Sequence, residues 1–179
     1  MTSSNSPEHV MVSLEGGQSV TAMHYAADGP ATGGALILAH GAGAGQRHPF
    51  MVSFARALAG FGVDVVTFNF PYMEQQRKLP DRAPVLEACY AAVIHDTRTR
   101  LASAREWLFI GGKSMGGRMA TQLAAAEPQL PIAGLVLLGY PLHPPGNPLK
   151  RRDAHLPSVK RPMLVIQGSR DTFGTPDEL

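Results

Sequence analysis

The segment that decides the fold is Phe109-Ile-Gly-Gly-Lys-Ser-Met-Gly-Gly-Arg118. It contains the pattern Gly-x-Ser-x-Gly over residues 112–116, which by itself arises by chance in roughly one chain in twenty. Its context is more informative, because the pattern joins a short apolar run, residues 107–111, directly to a helical stretch, residues 115–126. A nucleophile elbow requires this strand-turn-helix setting. The segment therefore predicts that Ser114 lies in a strained turn, with its hydroxyl above the edge of a sheet.

The glycines on either side of Ser114 fit that geometry. Side chains at positions 112 and 116 would clash in such a tight turn, and Gly112 and Gly116 remove the clash. The hydroxyl would then lie at the positive end of the following helix. The alternative is that Ser114 is a helix N-cap whose neighbouring glycines serve only packing.

Five short apolar runs, typical of strands that are buried on both faces, alternate with helical stretches along the chain. The runs are residues 35–39, 63–70, 107–111, 132–138 and 163–167. The helix beginning near Pro49 is expected to bury Met51, Phe54, Leu58 and Phe61, and a second helix opens near Pro84. A hairpin is predicted around Gly16-Gly17. The order predicts an α/β domain over residues 10–179, with a mostly parallel, doubly wound sheet and helices on both faces, after a disordered tail at residues 1–9.

Ligands of such sheets bind at the carboxyl ends of the strands, and two further unusual segments follow predicted strands. The first is His40-Gly-Ala-Gly-Ala-Gly45, where the backbone N–H of Ala42, together with that of Met115, would bind a developing oxyanion. His40 is expected to brace this loop by hydrogen bonding, with Gly43 beside it at the pocket rim. The second is Gln167-Gly-Ser-Arg-Asp171, where Asp171 would orient a catalytic histidine. Each segment also fits an ordinary turn without a substrate role.

The catalytic histidine is the missing part of this pattern. In the chain order Ser, Asp, His it would follow Asp171, but residues 172–179 contain no histidine. Completing the fold needs about 25 more residues. The sequence therefore predicts a domain that is incomplete at its C-terminus, lacks the last strand and helices, leaves residues 163–167 as an exposed apolar edge and is inactive as given. His143 is the one stand-in within the chain, and otherwise belongs to the pocket rim.

Composition argues against several other classes of protein. The formal net charge of +2 is too small to indicate nucleic-acid binding, and the single cysteine excludes an intrachain disulfide and a cysteine zinc cluster. The N-terminus has no secretory pattern, and the longest apolar run, residues 132–140, is far shorter than the roughly 20 residues of a membrane helix. These features predict a cytoplasmic protein that binds neither nucleic acid nor membrane and needs no metal or organic cofactor. They leave its oligomeric state open.

Nucleotide binding is disfavoured by two substitutions. Gly112-Lys113-Ser114 matches the end of a P-loop, but Trp107 stands where the P-loop requires its first glycine. The glycines at 41 and 43 match the start of a dinucleotide fingerprint, but Gln46 replaces its third glycine.

Five motifs in order resemble a small branch of the α/β-hydrolase superfamily. They are HGAGAG (40–45), FNFPYMEQ (68–75), GGKSMGGRMA (111–120), LLGYPLHPPG (137–146) and QGSRDTFGTP (167–176). The branch is named after a testis-expressed protein and a subunit of a nuclear histone-acetyltransferase complex, and it has many bacterial members. The resemblance implies Ser114 as nucleophile, Asp171 as acid, and a histidine in a further C-terminal segment. The chain is more distantly similar to dienelactone-hydrolase-like enzymes, whose cysteine at the position of Ser114 means that their chemistry does not transfer.

The function predicted from the sequence is therefore that of a serine hydrolase acting on the ester, thioester or amide of a small-molecule acyl substrate. Lys113, Arg118 and the basic run at residues 150–152 favour an anionic substrate, although such a run also fits a solvated loop. The alternative is a catalytically inactive binding or scaffold module. Some eukaryotic members of the branch resemble such non-catalytic partners.

Overall fold

A seven-stranded sheet forms the centre of the computed structural model, which describes residues 6–30 and 32–179. Its strands are β1 (Glu8–Ser13), β2 (Ser19–Tyr25), β3 (Gly34–Ala39), β4 (Asp64–Phe68), β5 (Trp107–Lys113), β6 (Gly134–Leu138) and β7 (Met163–Ile166). Its helices are α1 (Pro49–Gly60), α2 (Pro71–Glu74), α3 (Ala83–Arg100), α4 (Ala102–Glu106) and α5 (Met115–Ala126). All five predicted apolar strands are present.

The spatial order of the strands is β1-β2-β4-β3-β5-β6-β7. The first two strands form the predicted antiparallel hairpin, and β2 runs antiparallel to β4. The remaining pairs, from β4 through β3, β5 and β6 to β7, are all parallel. This confirms the predicted α/β class with a mostly parallel sheet.

Apolar side chains of β3 project from both faces of the sheet, and each face is covered by helices. Leu36 and Leu38 pack in one cluster with the buried face of α1. Ile37 and its neighbours at 35 and 39 pack in a second, larger cluster with α3 and α5. A strand between two helical layers has to be apolar at every position, which explains the continuous run Ala35–Ala39. The prediction of helices on both faces is confirmed.

Two local expectations were wrong. Strand β1 begins at Glu8, and Glu8 and His9 pair with β2, so they are not part of a disordered tail; residues 1–5 of that predicted tail lie outside the described residues. Helix α1 buries Met51 as expected, and Phe54 and Leu58 pack half-buried against the same cluster, but Ala55 and Ala59 are buried as well and Phe61, expected to be buried, is 74% exposed. Small alanines allow α1 to approach the sheet closely, and Phe61 lies just past the end of the helix.

Strand β7 lies at the edge of the sheet and pairs only with β6. All four of its side chains, from Met163 to Ile166, are exposed, and Leu164 is 58% accessible. The apolar edge expected from the sequence is therefore present, with neither face of the strand covered by a helix of the described chain. Among the described residues, no helix is both long and apolar enough to cross a membrane.

Candidate active site

The carboxyl ends of β3 and β5 lie side by side, because Ala39 pairs with Gly112 in the parallel register. From β3 the chain continues to β4 on one side of it, and the next strand, β5, lies on its other side. The loops that leave β3 and β5 therefore diverge and open a crevice between them. In α/β sheets such a switch point is the usual place for a ligand, and here the crevice is bounded by the loop that begins at Gly41 and by Ser114.

Ser114 lies at a sharp bend between β5 and α5. Its backbone has φ 50° and ψ −114°, a conformation that non-glycine residues rarely adopt and that costs about 1–3 kcal/mol. The bend is held by two backbone hydrogen bonds: the Ser114 N–H donates to Leu138 O (3.0 Å), and the Arg118 N–H donates to Ser114 O (3.1 Å). The Ser114 side chain caps no N–H of the helix. This argues against the alternative of a simple N-cap serine and matches the geometry of a nucleophile elbow.

The flanking glycines are required because β3 passes directly beneath the bend. A Cβ atom on Gly112 would clash with the carbonyl oxygen of Ala39, because it would lie much closer than van der Waals contact allows. A Cβ atom on Gly116 would meet the same oxygen and would lie 2.8 Å from the Cβ of Ala39. Both obstacles belong to a central strand that cannot shift, so both glycines let the elbow sit on the sheet.

Gly116→Ala is therefore expected to lower the free energy of unfolding by about 1–3 kcal/mol, the usual cost of overpacking. Urea unfolding followed by circular dichroism would measure it. Gly60→Ala is the matched control, because a Cβ there has nothing within 4 Å and alanine favours a helix. Equal stability of the two variants would contradict the packing described for the elbow.

His40 braces the loop after β3. Its ring is fully buried; the Nδ1–H donates to Gly41 O (2.8 Å), and the Nε2 accepts from the Phe70 N–H (3.1 Å). Burial lowers the pKa of His40, which keeps the ring neutral, as this pair of bonds requires. Both nitrogens are engaged within the protein. His40 therefore positions the loop, as expected, but it is fully buried and does not line the cavity, so its predicted place at the pocket rim was wrong.

Two carbonyl groups of this loop are turned towards buried side chains. His40 holds Gly41 O, and the Tyr72 hydroxyl donates to Ala42 O (3.0 Å). In a trans peptide the C=O and the following N–H point in opposite directions. The N–H groups of Ala42 and Gly43 therefore point away from His40 and Tyr72. Met115 begins α5, and an N–H in the first turn of a helix has no intrahelical acceptor.

Asp171 lies beyond β7, next to the end of β6. Its Oδ1 accepts from the Phe173 N–H (2.9 Å) and its Oδ2 from Gln167 Nε2 (3.3 Å). A Cβ atom on Gly139 would lie 3.3 Å from that Oδ2. Gly139 directly follows Leu138, whose carbonyl accepts the Ser114 N–H. The carboxylate and the elbow therefore flank the same end of β6.

His143 is engaged elsewhere and does not line the crevice. Its Nδ1 lies 3.0 Å from Pro144 O and its Nε2 lies 3.2 Å from Glu178 Oε1. These contacts hold the buried ring against the C-terminal residues of the chain, which explains why its predicted place at the pocket rim was wrong. Within the described residues, no histidine forms a hydrogen bond with Ser114 or Asp171.

His48, which the sequence analysis did not single out, is the histidine that lines the cavity beside Ser114. It is the N-cap of α1, where its Nδ1 accepts from the Phe50 N–H (3.2 Å). That bond places the proton of the neutral ring on Nε2 and uses the remaining lone pair. His48 is therefore unsuited to accept a proton while it caps the helix. The feature of the sequence that indicates this capping role is the place of His48 directly before Pro49, the first residue of the helix.

The crevice has a volume of about 610 Å³. The predicted residues Ala42, Gly43, Ser114 and Met115 all line it. Its apolar wall comes from residues that the sequence did not place there: Met51, Leu86, Met119, Pro141 and Phe173. Its charged wall consists of Asp81, Lys113, Arg118 and Arg152.

No group of three or more His, Cys, Asp or Glu side chains in the part of the chain that the structure describes is arranged to hold a metal ion. Cys89 is buried in α3, and burial raises the pKa of its thiol to about 12, which makes it a packing residue.

Comparison with known families identifies the class of protein. A family model described as an alpha/beta hydrolase domain matches residues 32–179. The chain therefore belongs to this family. The narrower branch suggested by the five sequence motifs stays a prediction.

Solved structures share the fold at low sequence identity. An α/β serine hydrolase without a lid from Xanthomonas campestris superposes with a TM-score of 0.76 at 21% identity, covering 97% of this chain and 76% of that one. A serine hydrolase homologue from Coxiella burnetii superposes with a TM-score of 0.75 at 17% identity, covering 96% of this chain and 78% of that one. A dienelactone-hydrolase-like protein from Klebsiella pneumoniae gives 0.71 at 21% identity, covering 97% and 78%. The α/β-hydrolase fold is thus shared along nearly the whole chain.

Proposed function

We propose that this chain carries the nucleophile, the acid and the oxyanion loop of a serine hydrolase that cleaves an ester, thioester or amide of a small acyl substrate. The observation that supports it most directly is the bend at Ser114. A strained backbone at φ 50° persists only where surrounding structure enforces it, and here it presents a hydroxyl to a cavity. An ordinary strand-to-helix turn does not need that conformation.

In the proposed reaction the Ser114 Oγ attacks the substrate carbonyl while a histidine takes its proton. The N–H groups of Ala42 and Met115 bind the oxygen as it becomes negative. Collapse of the tetrahedral intermediate breaks the bond to the leaving group, which receives the proton from the histidine. Water, deprotonated by the same histidine, then attacks the acyl-enzyme and releases the acid and free Ser114.

The role proposed for Asp171 follows from its place beside the end of β6. Its carboxylate would accept a hydrogen bond from the ring of the histidine, fix its tautomer and stabilise its charge. The bonds from Phe173 and Gln167 hold the carboxylate in place for this task. The nitrogens of His40 and His143 and the Nδ1 of His48 are engaged elsewhere, so none of these three is proposed as that histidine.

A fluorophosphonate probe tests this proposal on the full-length product of the gene. The expected result is one covalent adduct, located by peptide mass spectrometry on Ser114, that forms on the native protein and not after heat unfolding. An adduct on a different serine would overturn the assignment of Ser114, and the absence of any adduct would overturn the proposal and favour a non-catalytic binding module.

A further inference from the structure

The crevice contains two arginines, Arg118 and Arg152, that form no ion pair within the described residues, and we infer that they hold a carboxylate of the substrate. This inference rests on the proposed function for the position of the reacting carbonyl and names the substrate class of the same site: a short ester that carries a carboxylate a few bonds from its scissile carbonyl. Arg118 and Arg152 would hold that carboxylate while Ser114 faces the ester.

Arg118 lies one helical turn beyond Ser114. The hydrogen bond from the Arg118 N–H to Ser114 O has the i to i+4 spacing of a helix and holds Arg118 one turn of α5 away from the bend. Arg118 also lines the cavity that contains Ser114. Any group that binds Arg118 there is therefore close to the Ser114 hydroxyl.

The guanidinium of Arg118 lacks a partner among the described residues. Its Nε is buried without a hydrogen bond, and its side chain takes part in none of the ion pairs of the described chain. Of the nearby acids, Glu87 on α3 makes no ion pair with it, and Asp81 binds Arg77 at 2.6 Å. Arg118 as a whole is half-buried, so its guanidinium loses part of its hydration without gaining an ion pair, and an anionic ligand would offset that loss.

Arg152 is fixed by its backbone so that its side chain reaches the same cavity. Its N–H donates to Leu142 O (2.7 Å), and its carbonyl accepts from the Tyr140 hydroxyl (2.7 Å). No ion pair or side-chain hydrogen bond of Arg152 occurs within residues 6–30 and 32–179. Burial of Arg118 itself and, after it, the charge of Arg152 lower the pKa of Arg118, so the two guanidinium groups act on each other as like charges.

The other cations near the crevice are already engaged. Arg151 points elsewhere: it is exposed and bonds Asp153 Oδ2 and Glu178 O. The Lys113 ammonium lies over the ring of Phe50, 5.1 Å from its centroid, and the side chain is exposed. The sequence favoured Lys113, Arg118 and residues 150–152 together, and the structure selects Arg118 and Arg152 from that group.

The chemistry of the walls defines the ligand. Two guanidinium groups match the planar geometry of a carboxylate, which each can bind through two N–H groups. The apolar side of the cavity, including Leu86 and Phe173, suits a short methylene chain. Both a half-ester of a short dicarboxylic acid and an ester whose alcohol portion bears the carboxylate have this chemistry.

Binding is best measured by NMR titration of full-length protein carrying Ser114→Ala, which prevents turnover. The ligands are monomethyl glutarate, with the carboxylate on the acyl side, carboxymethyl butanoate, with it on the alcohol side, and the neutral dimethyl glutarate. We expect at least one anionic ester to bind with a Kd at least tenfold lower than that of the neutral ester, the effect of about one charge-assisted hydrogen bond. The anionic ester that binds more tightly shows whether the substrate carries its carboxylate on the acyl portion or on the alcohol portion.

Introduced into the Ser114→Ala protein, Arg118→Gln and Arg152→Gln should each abolish the preference for the anionic ester. Arg151→Gln in the same background is the matched control and should retain the preference. Thermal melting would verify that all three variants are folded. Equal affinity for charged and neutral esters, or equal losses in Arg151→Gln and Arg152→Gln, would overturn the inference. Because binding needs no turnover, such a failure is separable from a failure of Ser114 to react with the fluorophosphonate.

Discussion

Ser114→Ala is expected to reduce the hydrolysis of a 4-nitrophenyl ester by the full-length protein about 10⁶-fold in kcat, the order of loss found when a serine nucleophile is removed from a triad. The methyl group cannot form the acyl-enzyme, so only the backbone donors of the oxyanion loop and substrate binding remain to accelerate the reaction. Steady-state kinetics across a range of enzyme concentrations would measure the loss.

Ser53→Ala is the matched control for this prediction. Ser53 is an exposed serine of α1 that does not line the crevice, so its removal should leave kcat unchanged. If Ser114→Ala retained more than about one hundredth of the wild-type rate, the acyl-enzyme route through this residue would be wrong. If Ser114→Ala also lowered the melting temperature, measured by circular dichroism, the loss of activity would instead be assigned to a disrupted bend.

The parallel sheet and the bend were predictable because each depends on a local pattern. A strand covered on both faces has to be apolar throughout, and the run at Ala35–Ala39 expresses that requirement directly. The elbow needs glycines where another strand passes beneath it, and Gly112 and Gly116 stand at those positions. Both features follow from steric rules that act over a few residues.

The hydrogen bond from Tyr72 to Ala42 and the difference between Arg151 and Arg152 were not predictable, because they depend on residues far apart in the chain. Tyr72 reaches Ala42 across 30 positions, and this contact exists only because β3 and β4 are neighbours in the sheet. Arg152 and Arg151 are adjacent in a basic run and equivalent by composition. Only the hydrogen bonds of the Arg152 backbone separate the one that enters the crevice from the one that faces solvent.

The error on α1 has a similar origin. Spacings of three and four select a helical face by hydrophobicity, which favoured Phe54 and Phe61. Close packing on the sheet selects small side chains, so Ala55 and Ala59 are buried beside Met51, while Phe54 is half-buried at the margin and Phe61 is exposed. Periodicity identified the helix correctly, but the choice of face depended on how near α1 lies to β3 and β4.

Asp171→Asn is expected to lower kcat by about 10⁴-fold with little change in KM, because the amide keeps the shape of the carboxylate but no longer fixes the histidine in the tautomer that accepts the serine proton. The native carboxylate accepts two hydrogen bonds, from the Phe173 N–H and from Gln167 Nε2. Asparagine retains one acceptor oxygen, so the free energy of unfolding should fall by only about 1 kcal/mol.

The pairing of a large kinetic loss with a small stability loss distinguishes a positioning carboxylate from a residue that merely shapes its turn. Asp177→Asn provides the control, since Asp177 is an exposed acid in the same C-terminal segment and should affect neither quantity. Kinetics and urea unfolding of both variants in full-length protein would decide. If Asp171→Asn kept its kcat within tenfold of wild type, or lost activity only in proportion to unfolded protein, Asp171 would be a structural residue of the β7 turn and the acid would have to come from elsewhere in the crevice.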